Sequence, residues 1–178
     1  MPIVYLARHA TPDFNRPDLV YHLPPGPPLT AQGQAEAQSL GLFLREAGVA
    51  RLYTSPLERC LHTAQIASQI SGAPLEILPA LIELQPGEGQ DSLRARLCPV
   101  FAQAAQESAT GRPIALITHG GTVTFLLGAL GLDESSISHT LIYDHSNPLP
   151  PAGVYEASQD AEGQPWNVRL AFTPPPVI

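Results

Sequence analysis

The sequence predicts an α/β fold built on a mostly parallel sheet, and three observations predict it. Short apolar runs the length of buried strands recur at Ile3–Ala7, Arg51–Thr54, Leu75–Leu78 and Ile114–Thr118. The stretches between them place apolar residues at helical spacing. Segments rich in Gly, Pro and polar residues mark each change of period. Strands and helices alternating in this way form layered α/β structures.

Taken in order, Ile3–Ala7 reads as a buried strand between Pro2 and Arg8-His9. Residues 16–28 hold five prolines and one glycine and read as an irregular loop. Thr30 reads as the N-cap of a helix carrying Leu40, Phe43, Leu44 and Ala47, with Gly48 as its stop. After the strand Arg51–Thr54, Ser55-Pro56-Leu57-Glu58 has the pattern of a capping box with Pro at the first helical position, and its helix extends to about Ser71. Leu75–Leu78 is a strand candidate, followed by a Pro/Gly-rich loop through Gly89 and an Ala-rich helix over 91–109. Ile114–Thr118 is the clearest strand, and Gly120-Gly121 opens a helix through Leu130. Strands are expected at Thr140–Tyr143, Gly153–Ala157 and Val168–Phe172, the last two as a hairpin, before an irregular proline tail.

The 178 residues suit one domain, 1–178, with a single core, and neither a repeat nor a linker divides them. The formal charge is −7 and all nine basic residues are Arg. Such a chain is a poor partner for nucleic acid or anionic membranes, which need a basic face. An anionic ligand must instead be held by a local cluster of Arg. Cys60 and Cys98 match neither a disulfide framework nor a zinc set and read as free thiols. Pro2–Leu6 is too short for a signal-peptide core and no run reaches membrane-spanning length, so a cytoplasmic location is expected.

His9 and His119 each follow a predicted strand, Arg8 precedes one of them, and Arg59 lies in the first turn of a helix that follows another strand. In an open parallel sheet all of these belong at the carboxyl edge, where ligands bind. Two guanidiniums can fork onto phosphate oxygens, and the helix opening at Gly120 adds free N–H groups and a positive dipole end. No carboxylate cluster has metal-ligand spacing, so phosphoryl transfer without a metal or other cofactor is expected. Neighbouring cations hold the imidazole beside Arg8 neutral, as nucleophilic attack requires. His119 can then donate to the transferring group, and Glu83, in a loop after a strand, is the candidate general acid.

Four ordered segments, LARHATPDFN, LTAQGQAEAQSLG, YTSPLERCLHTA and ITHGG, resemble the histidine phosphatase superfamily, also called phosphoglycerate mutase-like. The resemblance spans residues 3–130. It implies an α/β three-layer sandwich with a mostly parallel central sheet, a phosphohistidine formed on His9, and a phosphate pocket of Arg8, Arg59 and His119. It also implies phosphate contacts from Asn15 and from the Gly120 backbone, and Glu83 as the acid. Ala10 stands where the family often has Gly. The stretch from Leu84 to Gly89 is shorter than in many members, which leaves Glu88 as an alternative acid. The insertions that carry additional substrate-binding Arg in cofactor-dependent phosphoglycerate mutases are absent. A phosphatase acting on a small phosphorylated substrate is therefore expected, with a mutase or a non-catalytic phospho-ligand binder as alternatives.

The remaining polar residues read more simply. Ser55 is expected to cap its helix, since no nucleophile elbow surrounds it. His22, His62, His139 and His145 lack supporting motifs. Arg16 reads as a solvated loop charge, and Arg45, Arg51, Arg94, Arg96, Arg112 and Arg169 as surface residues. Substrate specificity is expected from the loops 14–28, 84–92 and 144–152.

Overall fold

The computed structural model describes residues 1–176, with His145 described by its backbone alone. Its elements are β1 (Ile3–Arg8), α1 (Ala31–Glu46), β2 (Arg51–Thr54), α2 (Glu58–Ser71), β3 (Leu75–Ile77), α3 (Gln90–Ser108), β4 (Ile114–Thr118), α4 (Gly120–Ala129), α5 (Glu134–Thr140), β5 (Val154–Ser158) and β6 (Asn167–Phe172). The strands form one six-stranded sheet in the order β3-β2-β4-β1-β5-β6. β3, β2, β4 and β1 run parallel, and β5 and β6 join antiparallel as the expected hairpin.

Each central strand is buried on both faces, because successive side chains point to opposite sides. Val4, Leu6, Ile114 and Leu116 pack beneath Leu93, Leu97 and Phe101 of α3 and Val123 and Leu127 of α4. Tyr5, Ala7, Ala115 and Ile117 pack beneath Leu40 and Leu44 of α1 and Ala64 and Ala67 of α2. The result is helices, sheet, helices: a three-layer sandwich. α1 and α2 approach closely at Gly41, where a Cβ would stand 2.9 Å from the Ile70 Cβ and 3.1 Å from the Ala67 Cα.

This layering positions the site. β1 and β4 are neighbours, with Arg8 paired to Thr118, yet β1 leads to α1 on one face and β4 to α4 on the other. Such a divergence opens a crevice at the carboxyl ends of the strands. His9 and His119 are the first residues past the two strand ends, and the His9 N–H donates to the Thr118 carbonyl at 2.8 Å.

Two expectations are corrected. Thr140–Tyr143 is not a strand: α5 runs through Thr140, capped by Asp133, whose Oδ1 accepts from the Ser136 N–H at 2.6 Å. Ile142 beyond it is 74% exposed, so no sheet neighbour draws the segment into extended pairing. Ser55 does not cap α2, which begins at Glu58 after Leu57 with no side-chain cap. By contrast Thr30 caps α1 as expected, its Oγ1 accepting from the Gly33 N–H at 3.0 Å. No helix among the described residues is long and apolar enough to cross a membrane.

Candidate active site

His9 is 1% exposed, and Arg8, Arg59 and His119 are as deeply buried. The His9 Nδ1 lies 2.8 Å from the Ala10 carbonyl oxygen. A carbonyl can only accept, so Nδ1 carries the proton and Nε2 presents a lone pair. Burial and the Arg59 and Arg8 guanidiniums hold the His9 pKa well below the ordinary imidazole value, so the ring is neutral. Nε2 accepts from the Arg59 Nε–H at 3.3 Å, and the Tyr21 hydroxyl stands 3.5 Å away. The turn that carries His9 is tied down: the Ala10 N–H donates to Thr63 Oγ1 and the Thr11 N–H to Glu36 Oε2.

The second imidazole meets the first edge to face, with ring centroids 5.4 Å apart. His119 Nε2 is 2.8 Å from Ser55 Oγ, leaving Nδ1 directed toward Glu83 Oε2 at 3.5 Å. Ser55 thus orients a histidine instead of closing a helix end. Cys60 completes this wall, its thiol donating to the Thr118 carbonyl at 3.3 Å, and burial raises its pKa and keeps it protonated. Arg59 reaches across from α2. Its Nη1 donates to the Tyr21 carbonyl at 2.7 Å, its guanidinium lies 4.0 Å from the Tyr21 ring centroid, and its Nη2 is 3.8 Å from Glu83 Oε2.

Glu83 sits opposite, its pKa raised by burial against the opposing pull of the Leu84 N–H and Arg59. Glu88, the alternative acid, is held differently. Arg96 forks onto it at 2.6 and 2.7 Å and draws its pKa down to about 2. A carboxyl so firmly ionised carries no proton to donate near neutral pH. The same Arg96 donates through Nη1 to the Ala80 and Ile82 carbonyls, so it ties both ends of the loop bearing Glu83 to α3. Arg96 is therefore a structural strut and not the simple surface charge expected from its sequence context.

A cleft of about 520 Å³ opens above these residues, lined in part by Arg8, His9, Glu83, Gly120 and Asn147. Arg8 forks onto Asp144 at 2.7 and 2.8 Å and donates to the Leu149 carbonyl at 2.9 Å. Two buried guanidinium nitrogens, Arg8 Nε and Arg59 Nη2, have no hydrogen-bond partner among the described residues. Buried donors left in this way are costly, and an oxyanion is the kind of ligand that satisfies them. A Cβ at Gly120 would fall on the Asn147 side-chain oxygen, so any larger residue there displaces the Asn147 side chain from the cleft wall.

The structure gathers Arg8, His9, Arg59, Glu83, His119 and Gly120 around one crevice. Asn15 is not among the cleft-lining residues. It is exposed, and its backbone N–H is turned to Asp13 Oδ1 at 2.9 Å. Arg16 does line the cleft, paired with Asp18 through two hydrogen bonds of 2.9 and 2.8 Å. His22 and His62 are half-buried outside the cleft lining, His139 bonds its own helix through Ser135, and the His145 side chain lies outside the described residues. Tyr21, Asp144 and Asn147 have no motif that marks them. Only the assignment of 14–28 and 144–152 as site loops pointed toward them.

Comparison with known proteins agrees with this geometry. A family model described as histidine phosphatase superfamily (branch 1) matches residues 4–91. An adenosylcobalamin/alpha-ribazole phosphatase of Salmonella typhimurium is 36% identical over 86 residues, covering 48% of this chain and 42% of that protein. The chain spans between 39% and 57% of the length of the curated relatives it matches. Among solved structures, a mycobacterial glucosyl-3-phosphoglycerate phosphatase superposes with a TM-score of 0.75 at 17% identity, covering 98% of this chain and 99% of that one. A phosphoglycerate mutase from Bacillus anthracis superposes with a TM-score of 0.74 at 17% identity, covering 96% and 92%. The first strand, the Arg-His pair and the α2 arginine all lie inside the matched stretch, so the chain is similar to the histidine phosphatase superfamily where the site's N-terminal half is built.

Proposed function

We propose that the protein hydrolyses a small phosphomonoester through a phosphohistidine on His9. The observation that carries this reading is the His9 ring itself: a neutral imidazole with its proton fixed on Nδ1 and its Nε2 lone pair facing the buried Arg59 guanidinium. In the first half-reaction Arg59 turns its N–H groups from Nε2 to the phosphate oxygens. Nε2 attacks phosphorus, the ester P–O bond breaks, and Glu83 gives its proton to the leaving oxygen. Arg8, the Gly120 N–H and His119 Nδ1–H, with Ser55 donating to Nε2, stabilise the charge on the transferring group. In the second half-reaction Glu83, now a carboxylate, takes a proton from water as that water attacks phosphorus. Inorganic phosphate leaves and His9 is restored. Asn15 joins the phosphate ligands only if the loop that carries it rearranges on binding.

A mutase must hold a second anionic group on its product. Beyond Arg8 and Arg59, which hold the transferring phosphate, the guanidinium that lines the cleft among the described residues is Arg16, already paired with Asp18, which favours hydrolysis. The buried, protonated Cys60 fits the cytoplasmic setting expected from the sequence.

Rapid acid-free denaturation of enzyme mixed with phosphate-labelled substrate tests the proposal. A label that survives alkali, is lost in acid and disappears in His9→Ala is the expected result. A His9→Ala variant that releases phosphate at the wild-type rate overturns it.

A further inference from the structure

We infer that the leaving group of the substrate is apolar or aromatic and carries no second anionic group, and that it seats against a wall formed by Phe14, Leu19, Tyr21 and Pro27. The inference rests on the phosphatase reading and adds the substrate class. The phosphate end of the cleft is built from charge. The other wall comes from the loop between β1 and α1, and these four apolar or aromatic side chains line it.

That wall is held in register with the nucleophile. The Asp13 N–H donates to the Pro28 carbonyl at 2.8 Å, the Glu58 N–H to the Pro25 carbonyl at 2.7 Å, and Arg59 Nη1 to the Tyr21 carbonyl at 2.7 Å. Tyr21 is the hinge between the two regions. Its hydroxyl is 3.5 Å from His9 Nε2, its ring lies against Arg59, and Phe14 stacks on it with centroids 5.7 Å apart at 13°. An aromatic path therefore leads from the reacting nitrogen out to Phe14, which is 54% exposed at the mouth. Exposed apolar surface gathered at the rim of a cleft favours an apolar ligand.

Charge excludes the other class. The ionisable groups of this loop near the mouth are Asp13, Arg16 and Asp18, and Arg16 is neutralised by Asp18. A carboxylate or second phosphate on the leaving group would meet Asp13, and among the described residues the one guanidinium of this loop is already paired with Asp18.

Binding of naphthylmethylphosphonate, which cannot be hydrolysed, is compared with binding of methylphosphonate by calorimetry, for the wild type, Phe14→Ala and Phe14→Leu. The naphthyl ligand should bind at least about tenfold tighter to the wild type, as expected for one well-stacked ring. Phe14→Ala should lose most of that preference and Phe14→Leu should keep part of it. In parallel, kcat/KM for 2-naphthyl phosphate should exceed that for 3-phosphoglycerate by about tenfold or more. Equal binding of the two phosphonates, a preference untouched by Phe14→Ala, or faster turnover of 3-phosphoglycerate overturns the inference. A naphthyl preference in binding with no label ever appearing on His9 overturns the phosphatase reading and leaves the subsite standing.

Discussion

At the scale of single residues, environment separates the two candidate acids. Glu83 and Glu88 lie five positions apart, yet burial raises the pKa of one and Arg96 lowers that of the other. The raised carboxyl keeps its proton further into the neutral range and loses it as pH rises. Hydrolysis of an alkyl phosphate, whose leaving oxygen needs that proton, should therefore decline on the alkaline side. In Glu83→Gln the rate on such an ester should fall by about 10²-fold or more, with the alkaline decline abolished, while p-nitrophenyl phosphate loses far less in its first half-reaction. Steady-state pH–rate profiles and burst amplitudes on the two esters check this. Ser55 shows how a residue can be misread. Ser-Pro-Leu-Glu fits a capping box by pattern, but the partner that claims its hydroxyl is His119, 64 positions away. A local motif cannot reveal a competitor that arrives from another strand.

At the scale of elements, strand ends supply the two imidazoles of the candidate site and a helix supplies support for its loop. The strands were readable because a doubly covered sheet demands short, nearly continuous apolar runs, as Ile114–Thr118 illustrates. α5 was not readable: Ile137 is its one large apolar residue and only half-buried, so no periodic stripe announces the helix. Arg96 was equally hidden, since an isolated Arg on a helix resembles a solvated charge until the Ala80 and Ile82 carbonyls are brought to it. Its role yields a prediction at this scale. Arg96→Ala should release the loop 80–88 and lower kcat on alkyl phosphates by about tenfold, with a smaller effect on p-nitrophenyl phosphate, because Glu83 loses its position. Loss on both esters in equal measure would mean that Arg96 supports the fold alone. The Arg96–Glu88 pair should also weaken in acid, as pH falls below the ordinary carboxylate range toward about 2.

At the scale of the whole molecule, two apolar layers hold one sheet rigid enough to aim side chains drawn from distant parts of the chain. Leu116 is fully buried in the layer beneath α3 and α4. Leu116→Ala should cost about 2–5 kcal/mol, a large share of the roughly 5–15 kcal/mol typical of a domain. Urea denaturation should show an earlier midpoint, with a smaller change in kcat for the fraction that remains folded. The gathering of His9, Arg59 and His119 was legible because strand ends converge in this architecture. The identity of Asp144 as the partner of Arg8 was not, because nothing local couples positions 136 residues apart. That long pairing has a consequence for synthesis. A nascent chain extended only through α4 already holds both imidazoles and both guanidiniums, but it lacks the carboxylate and the Leu149 carbonyl that set the angle of Arg8. The Ala152 N–H that binds the His9 carbonyl and the Gly153 carbonyl that binds the Arg8 N–H are missing too. On the proposed function, phosphoryl transfer should therefore switch on late, when β5 docks beside β1, and a chain truncated after α4 should leave phosphate esters intact.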